Sequence, residues 1–244
     1  MAKPATRTNP PGPFTGFGPE ALTFFKSLAA NQNREWFQEH KETYESQVLR
    51  PMEALVEALA MAFAAHDIPL AGGARQSLFR IYRDVRFSKD KTPYKTHAGA
   101  VLSRDGTKTG KGILYVQVGG DEKAFLALGF YSPEPEDLTA LRTAIAADPA
   151  RWLAVERELA EGGLAVSHGA SLARLPRGFE PFAGSPVAEV LKLRHLVTSR
   201  SLPAARIFER ELVDEAIAFA RAGLPLLTFG RAAIDRARGS VLAR

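Results

Sequence analysis

Residues 79–97 read F-R-I-Y-R-D-V-R-F-S-K-D-K-T-P-Y-K-T-H and concentrate the side chains able to do chemistry. Arg80, Arg83, Arg86, Lys89, Lys91 and Lys95 stand against Asp84 and Asp90, a net +4 in a chain whose formal net charge is +5. A guanidinium is a planar fork that fits carboxylate or phosphate, and an ammonium is a point charge for the same groups. The residue types therefore point to an anion site. Its expected binders are Arg80, Arg83, Arg86, Lys91 and Lys95, with Tyr94 stacking on or hydrogen-bonding the ligand. Should a reaction occur there, Asp84 and His97 are the acid/base candidates, because an imidazole titrates near neutral pH and no better proton-transfer pair lies nearby.

Residues 78–87 are rich in aromatic and β-branched types and are predicted as a strand. On it, Arg80, Tyr82, Asp84 and Arg86 share one face, while Phe79, Ile81, Val85 and Phe87 share the other with Arg83. A guanidinium on an apolar face needs a partner, so Arg83 is expected to be buried and paired with Asp84, Asp90 or Glu35. Thr92–Pro93 stiffens the loop that follows. Two readings compete with a small anionic ligand. Cations interleaved with Phe79, Tyr82, Phe87 and Tyr94 fit a nucleic-acid groove with stacking platforms, although the rest of the chain is nearly neutral. Alternating Arg and Asp also fit an internal ion-pair network in a structural or partner-binding protein.

The elements that must position this segment follow from periodicity. Leu22, Phe25, Leu28 and Ala29 recur at helical spacing, and Asn33 is a plausible cap for a second helix carrying Trp36, His40, Tyr44 and Val48 on one face. Pro51 either kinks that helix or starts another with Leu55, Leu59 and Phe63. Residues 98–103, 113–118 and 123–131 are predicted strands, separated by Arg104–Asp105–Gly106 and Gly119–Gly120–Asp121 turns. Short connections imply an antiparallel sheet. Helices return at Leu138–Leu141–Ile145 and after the Asp148–Pro149 cap. Residues 194–200 suit a further strand, 201–221 a helix ended by Gly223 and Pro225, and 228–238 a last helical segment. The expected fold is a single α+β domain over 17–238, with an antiparallel sheet of four or more strands framed by N-terminal and C-terminal helices. Residues 1–16, with four prolines, are an expected disordered lead-in, and 239–244 a tail.

The block 79–97 resembles the hallmark of an uncharacterised bacterial and fungal family, domain-of-unknown-function family 2461, whose members share F-R-x-x-R-D-x-R-F-S-x-D-K-x-P-Y-K-x-H. Further matches are Asn33–Arg34–Glu35–Trp36–Phe37, Gly129–Phe130–Tyr131 with Pro133, Leu141–Arg142 with Ile145, and Leu175–Pro176–Arg177–Gly178–Phe179. The resemblance covers about residues 14–230. It implies a family and a motif, and no reaction.

Other chemistries find little support. The chain has no cysteine, which excludes disulfides, Cys-ligated zinc, Fe–S clusters and thiol catalysis. His40, His66, His97, His168 and His195 are never within four residues of one another, and no H-E-x-x-H occurs, so no metal or cofactor is expected. Residues 107–112, T-K-T-G-K-G, miss the phosphate-loop spacing by one and place Gly112 where Ser or Thr belongs; they read as a turn. Lys192, Arg194, His195 and Arg200 form a second basic cluster, expected to be a solvated strand edge. The longest purely apolar run, Ala58 to Ala65, is far short of the ~20 residues needed to span a bilayer, and the N-terminal residues lack an apolar signal segment. A cytoplasmic location without membrane partners is expected. The partner is an anionic small molecule or nucleic acid, and nothing sets the oligomeric state.

Overall fold

Pro19–Ala30 form α1, with Pro at its first turn and the buried residues Ala21, Phe24, Phe25 and Leu28 at helical spacing. Helix α2, Arg34–Glu39, is capped as expected: the Asn33 carboxamide oxygen accepts from the Trp36 N–H at 2.9 Å. A helical turn and a π-helical turn, Tyr44–Leu49, lead into α3, Arg50–Ala65. Pro51 therefore opens a helix, and the wider turn before it accommodates the missing N–H. The structure, a computed structural model, describes residues 12–119 and 124–242.

Four strands make one antiparallel sheet in the order β1-β2-β3-β4: His97–Ser103, Ile113–Gly119, Ala124–Phe130 and Leu196–Leu202. Two long helices, α4 (Pro135–Ala147) and α5 (Pro149–Glu161), and two short helical turns, Glu180–Phe182 and Ala188–Leu191, come between β3 and β4. The last helix, α6, runs 31 residues over Leu212–Leu242. The fold is thus the expected α+β domain with one antiparallel sheet.

Strand alternation divides the sheet into two unlike faces. Ala100, Leu102, Leu114, Val116, Val118, Leu126, Leu128 and Phe130 point into one hydrophobic core with Leu55, Leu59 and Phe63 of α3 and Phe219, Leu226 and Leu227 of α6. Each such side chain contributes about 1.5–3 kcal/mol on burial. The outer face carries His97, Gly99 and Val101 on β1, Tyr115 and Gln117 on β2, Phe125 and Ala127 on β3, and Ser199 and Ser201 on β4; none of them belongs to that core.

Three expectations are corrected. Residues 78–87 are not a strand. Only Leu78 bridges to Ala100 and Tyr82 to Tyr94. Asp84 accepts from the Arg86 N–H and Asp90 from the Thr92 N–H, and these local turns compete with a ladder, as does Pro93, which has no N–H to give. Ser201 lies within β4 rather than at a helix start. Gly223 and Pro225 do not end a helix, since α6 passes through both. A proline inside a helix costs about 3 kcal/mol. Here the burial of Phe219, Ala220, Leu226 and Leu227 around it offsets that loss. Of the expected lead-in, residues 1–11 lie outside the described residues, whereas Phe14 is buried beside Phe17. Gly120 and Asp121 of the expected second turn also lie outside them. One helical segment, Leu212–Gly239, is long and apolar enough by composition to cross a membrane, yet 56% of its most apolar window is buried within the protein.

Gly230 of α6 faces the ring of Phe130, and a Cβ there would overlap it. Gly239, further along, has open space around it. Chemical denaturation of Gly230→Ala is expected to show a loss of roughly 1–3 kcal/mol from overpacking, despite the better helix former. Gly239→Ala should be neutral or gain up to about 1 kcal/mol.

Candidate functional site

The basic segment folds back on itself as an irregular hairpin extending from the start of β1. Phe79 N–H donates to Gly99 O at 3.0 Å, Lys95 N–H to Ile81 O at 2.8 Å, and Arg83 N–H to Pro93 O at 2.9 Å. Ile81 and Tyr94 are buried and tie the hairpin to the core. The Tyr94 ring stacks on Phe37 at 4.5 Å and 19°, and Tyr82 leans on both rings. Tyr94 therefore anchors the loop to α2; its ring does not present a free face to a ligand.

The charges divide into two groups. Arg83, Arg86 and Lys91 of the loop are engaged within it. Arg83 donates to Asp90 at 2.5 Å and to the Thr92 hydroxyl. Arg86 forks onto Asp84 at 2.9 and 2.7 Å. The Lys91 ammonium donates to Val85 O at 2.9 Å. Arg83 finds one of its expected partners, but it is partly exposed rather than buried, at 29% for its side chain. Both carboxyls are held below their usual range, Asp84 chiefly by its hydrogen bond to Arg86, and Asp90 at about 2 by its hydrogen bond to Arg83.

The second group lies where the hairpin meets the sheet. Lys95 and Lys108 flank the Phe79 ring, with their ammonium nitrogens 5.1 and 5.5 Å from its centroid. Burial, then the charges of Arg80 and Lys108, push the Lys95 ammonium below its usual pKa. Among the described residues, none of Arg80, Lys95 and Lys108 has a hydrogen bond or ion pair through its charged group. His97 begins β1 beside them, and burial followed by Lys95 pushes its imidazole down, favouring the neutral form. Asp84 and His97 share no hydrogen bond or ion pair, so the structure does not couple the two expected acid/base groups.

Phe79 also starts an aromatic row across the outer face, with ring centroids 6.2 Å from Tyr115, which in turn lies 5.7 Å from Phe125. Gly99 makes the row possible: a Cβ there would come within 2.6 Å of the Tyr115 hydroxyl. Tyr115 donates to Gln117 at 3.0 Å and is pushed up to about 12, first by burial and then by Tyr131. It is no proton donor near neutrality. On the other side of Phe79 runs a groove of about 330 Å³ lined by Arg80, Tyr82, Lys41, Glu45 and Glu53.

Lys108 was not among the sequence-expected site residues, because 107–112 reads as an ordinary turn. The turn is fastened at several points. Asp105 accepts from the Ser103 hydroxyl at 2.8 Å and the Thr107 N–H at 3.0 Å. The buried guanidinium of Arg231 donates to the carbonyls of Lys111, Pro69 and Gly112 at 3.2, 3.0 and 2.9 Å. Lys111 pairs with the buried Asp137, which Arg238 also contacts at 3.1 Å. A cavity of about 270 Å³ lies between this turn and the segment Gly129–Pro133. There Ser132, with φ at +44°, donates its N–H to His195, whose ring stacks on Tyr131. The second basic cluster does not converge: Lys192 pairs with Glu189, and Arg200 lies over Phe219 and donates to Gly162 O. Among the described residues no group of three or more His, Asp or Glu gathers as metal ligands would.

A family model described as "Conserved hypothetical protein (DUF2461)" matches residues 20–229. No curated protein and no solved structure matches the chain.

The loop pairing has a titration signature. Asp90 has its folded pKa depressed from 3.8 to about 2, so its pairing stabilises the loop above roughly pH 4 and is lost as pH falls through 2. Carboxyl-carbon NMR should place the Asp90 midpoint near 2 in the wild type. In Arg83→Met it should return toward 3.8.

Proposed function

The chain belongs to the conserved hypothetical family DUF2461, whose description names no activity, and from its own groups we propose that it binds a phosphate- or carboxylate-bearing ligand where Lys95 and Lys108 lie over the Phe79 ring, next to Arg80. The observation that carries this reading is that the Lys95 and Lys108 ammonium groups lie 5.1 and 5.5 Å from the centroid of one ring, with no carboxylate paired to either among the described residues. Like charges so placed lower stability unless an anion compensates. Glu45 and Glu53 line the groove beside Arg80 and reduce the local excess, which leaves the Lys95–Lys108 side of Phe79 as the more electropositive. An anion between the two ammonium groups would relieve their repulsion and draw the Lys95 pKa back up.

Arg83, Arg86 and Lys91 enter this reading as loop-shaping residues, because each is engaged within the loop. The reading is one of binding. Asp84 is held by Arg86, Tyr115 is pushed up to about 12, and neither meets His97. His97 serves as a reporter: an anion beside Lys95 would raise its depressed pKa. The reading takes the protein as cytoplasmic, since its long apolar helix packs into its own core.

Thermal unfolding over a phosphate and polyphosphate series at constant ionic strength tests the proposal. A site filled to a hundredfold its Kd stabilises the fold by about 2.7 kcal/mol, so wild-type Tm should rise. Lys95→Met with Lys108→Met keeps the apolar stems and removes both charges. This double variant should be at least as stable as wild type without anion and should show no anion-dependent rise. A wild type that no anion stabilises, or a double variant that unfolds outright, would overturn the reading.

A further inference from the structure

Three of the exposed aromatic side chains belong to the basic segment, while a fourth, Tyr131, stacks on His195 elsewhere. Phe79 is 37% exposed, Tyr82 47% and Phe87 95%. Phe87 is the extreme case. It lies at the end of a loop shaped by the Arg83–Asp90, Arg86–Asp84 and Lys91–Val85 contacts, so the loop's charge pairing holds a bare phenyl ring in solvent. The ring has a cation at hand, with the Arg86 guanidinium carbon 5.9 Å from its centroid. Phe79 repeats the arrangement with Lys95 and Lys108. Each ring has a positive charge within about 6 Å; that of Arg86 is already met by Asp84, so the unpaired charge lies at Phe79.

We infer that the anionic ligand is a single-stranded nucleic acid a few nucleotides long, whose bases stack on Phe79 and Phe87 and whose phosphates meet Lys95, Lys108 and Arg80. The inference rests on the anion reading above and names its substrate class. A strand presents both features at a regular repeat, an unstacked base face and one phosphate per nucleotide, which is what repeated ring-and-cation units recognise without reading sequence. The aromatic row that continues from Phe79 to Tyr115 and Phe125 is half-buried, so the stacking faces on offer are those of Phe79 and Phe87. A duplex hides its base faces within the stack and would meet the charges alone. A protein partner fits less well, because protein interfaces are depleted in Lys, and this surface carries Lys89, Lys91, Lys95 and Lys108.

Fluorescence anisotropy with labelled oligo-dT and oligo-rU, each against a duplex of equal length and against tripolyphosphate as competitor, decides the matter. Wild type should bind the single strands more tightly than the duplex. The affinity should fall with salt at a log–log slope of about −2, since each phosphate contact on a single strand contributes about −0.7 and three cations are free to make one. Phe87→Ala should weaken oligonucleotide binding roughly tenfold, leave competition by tripolyphosphate unchanged, and leave Tm unchanged because the ring touches no core. Lys95→Met with Lys108→Met should reduce the slope to about −0.7. Two outcomes overturn the inference while the anion reading stands: equal affinity for duplex and single strand, or a Phe87→Ala protein that binds oligonucleotide as wild type does while tripolyphosphate still binds through Lys95 and Lys108. If neither oligonucleotide nor tripolyphosphate binds, both fall together.

Discussion

A four-stranded sheet whose core lies on one face only has a second face that must be ordered by something other than the core. This constraint runs through the whole molecule. Strand alternation places Leu102, Leu114, Leu126 and Leu128 toward α3 and α6, and the same alternation must place Tyr115, Phe125 and His97 on the other side. The aromatic row on the outer face partly shields itself by ring-on-ring contact, and Gly99 allows it by yielding the space a side chain would take. The basic hairpin then extends this half-covered surface at the β1 edge, where an edge strand would otherwise offer free backbone groups.

Positioning of Lys108 depends on groups far from it in sequence. Arg231, buried on α6, gives three hydrogen bonds to carbonyls on either side of the sheet's β1–β2 end. A buried guanidinium satisfied only by carbonyls keeps its charge without a carboxylate partner, and burial pushes its pKa down. Asp137 plays the opposite part, a carboxylate 3% exposed that draws Lys111 and Arg238 together. A buried carboxylate left without its cations is destabilising, so the turn that carries Lys108 is fastened at its base, while Lys108 itself meets the Phe79 ring and, among the described residues, no carboxylate.

How much of this was legible depended on the range of the interactions. The α1 helix, the cap within 31–33 and the strands 98–103 and 113–118 are written in local periodicity and cap chemistry and appear where expected, although the buried stripe of α1 is Ala21, Phe24, Phe25 and Leu28, with Leu22 half-buried and Ala29 exposed. Residues 78–87 have strand composition, but their Asp side chains find backbone N–H groups two residues away, and a local bond formed that cheaply in entropy prevails over a ladder. Pro225 signals a helix end by the same local logic, and long-range burial overrides it. Within the site, net charge located the segment but not the split between engaged and free cations. That split depends on Asp84, Asp90 and the Val85 carbonyl reaching particular side chains, and on Lys108 arriving from another turn, which no spacing rule encodes.

The split also bears on how the three sequence readings relate. An internal ion-pair network and an anion site were set out as rivals, yet in this geometry the first makes the second possible. Were Arg83 and Arg86 free, six cations on one flexible loop would repel and spread, and no two would hold a fixed separation. With Asp84 and Asp90 engaged, Arg83 and Arg86 are paired and the loop has a defined shape, and Tyr94 stacked on Phe37 fixes its base. Fixed separation is what lets Lys95 and Lys108 flank one ring without a rearrangement on binding, and pre-organisation of that kind lowers the cost of capturing a ligand. The loop carboxylates thus act on the site without touching it, by giving a defined shape to the segment that carries Lys95 to the Phe79 ring.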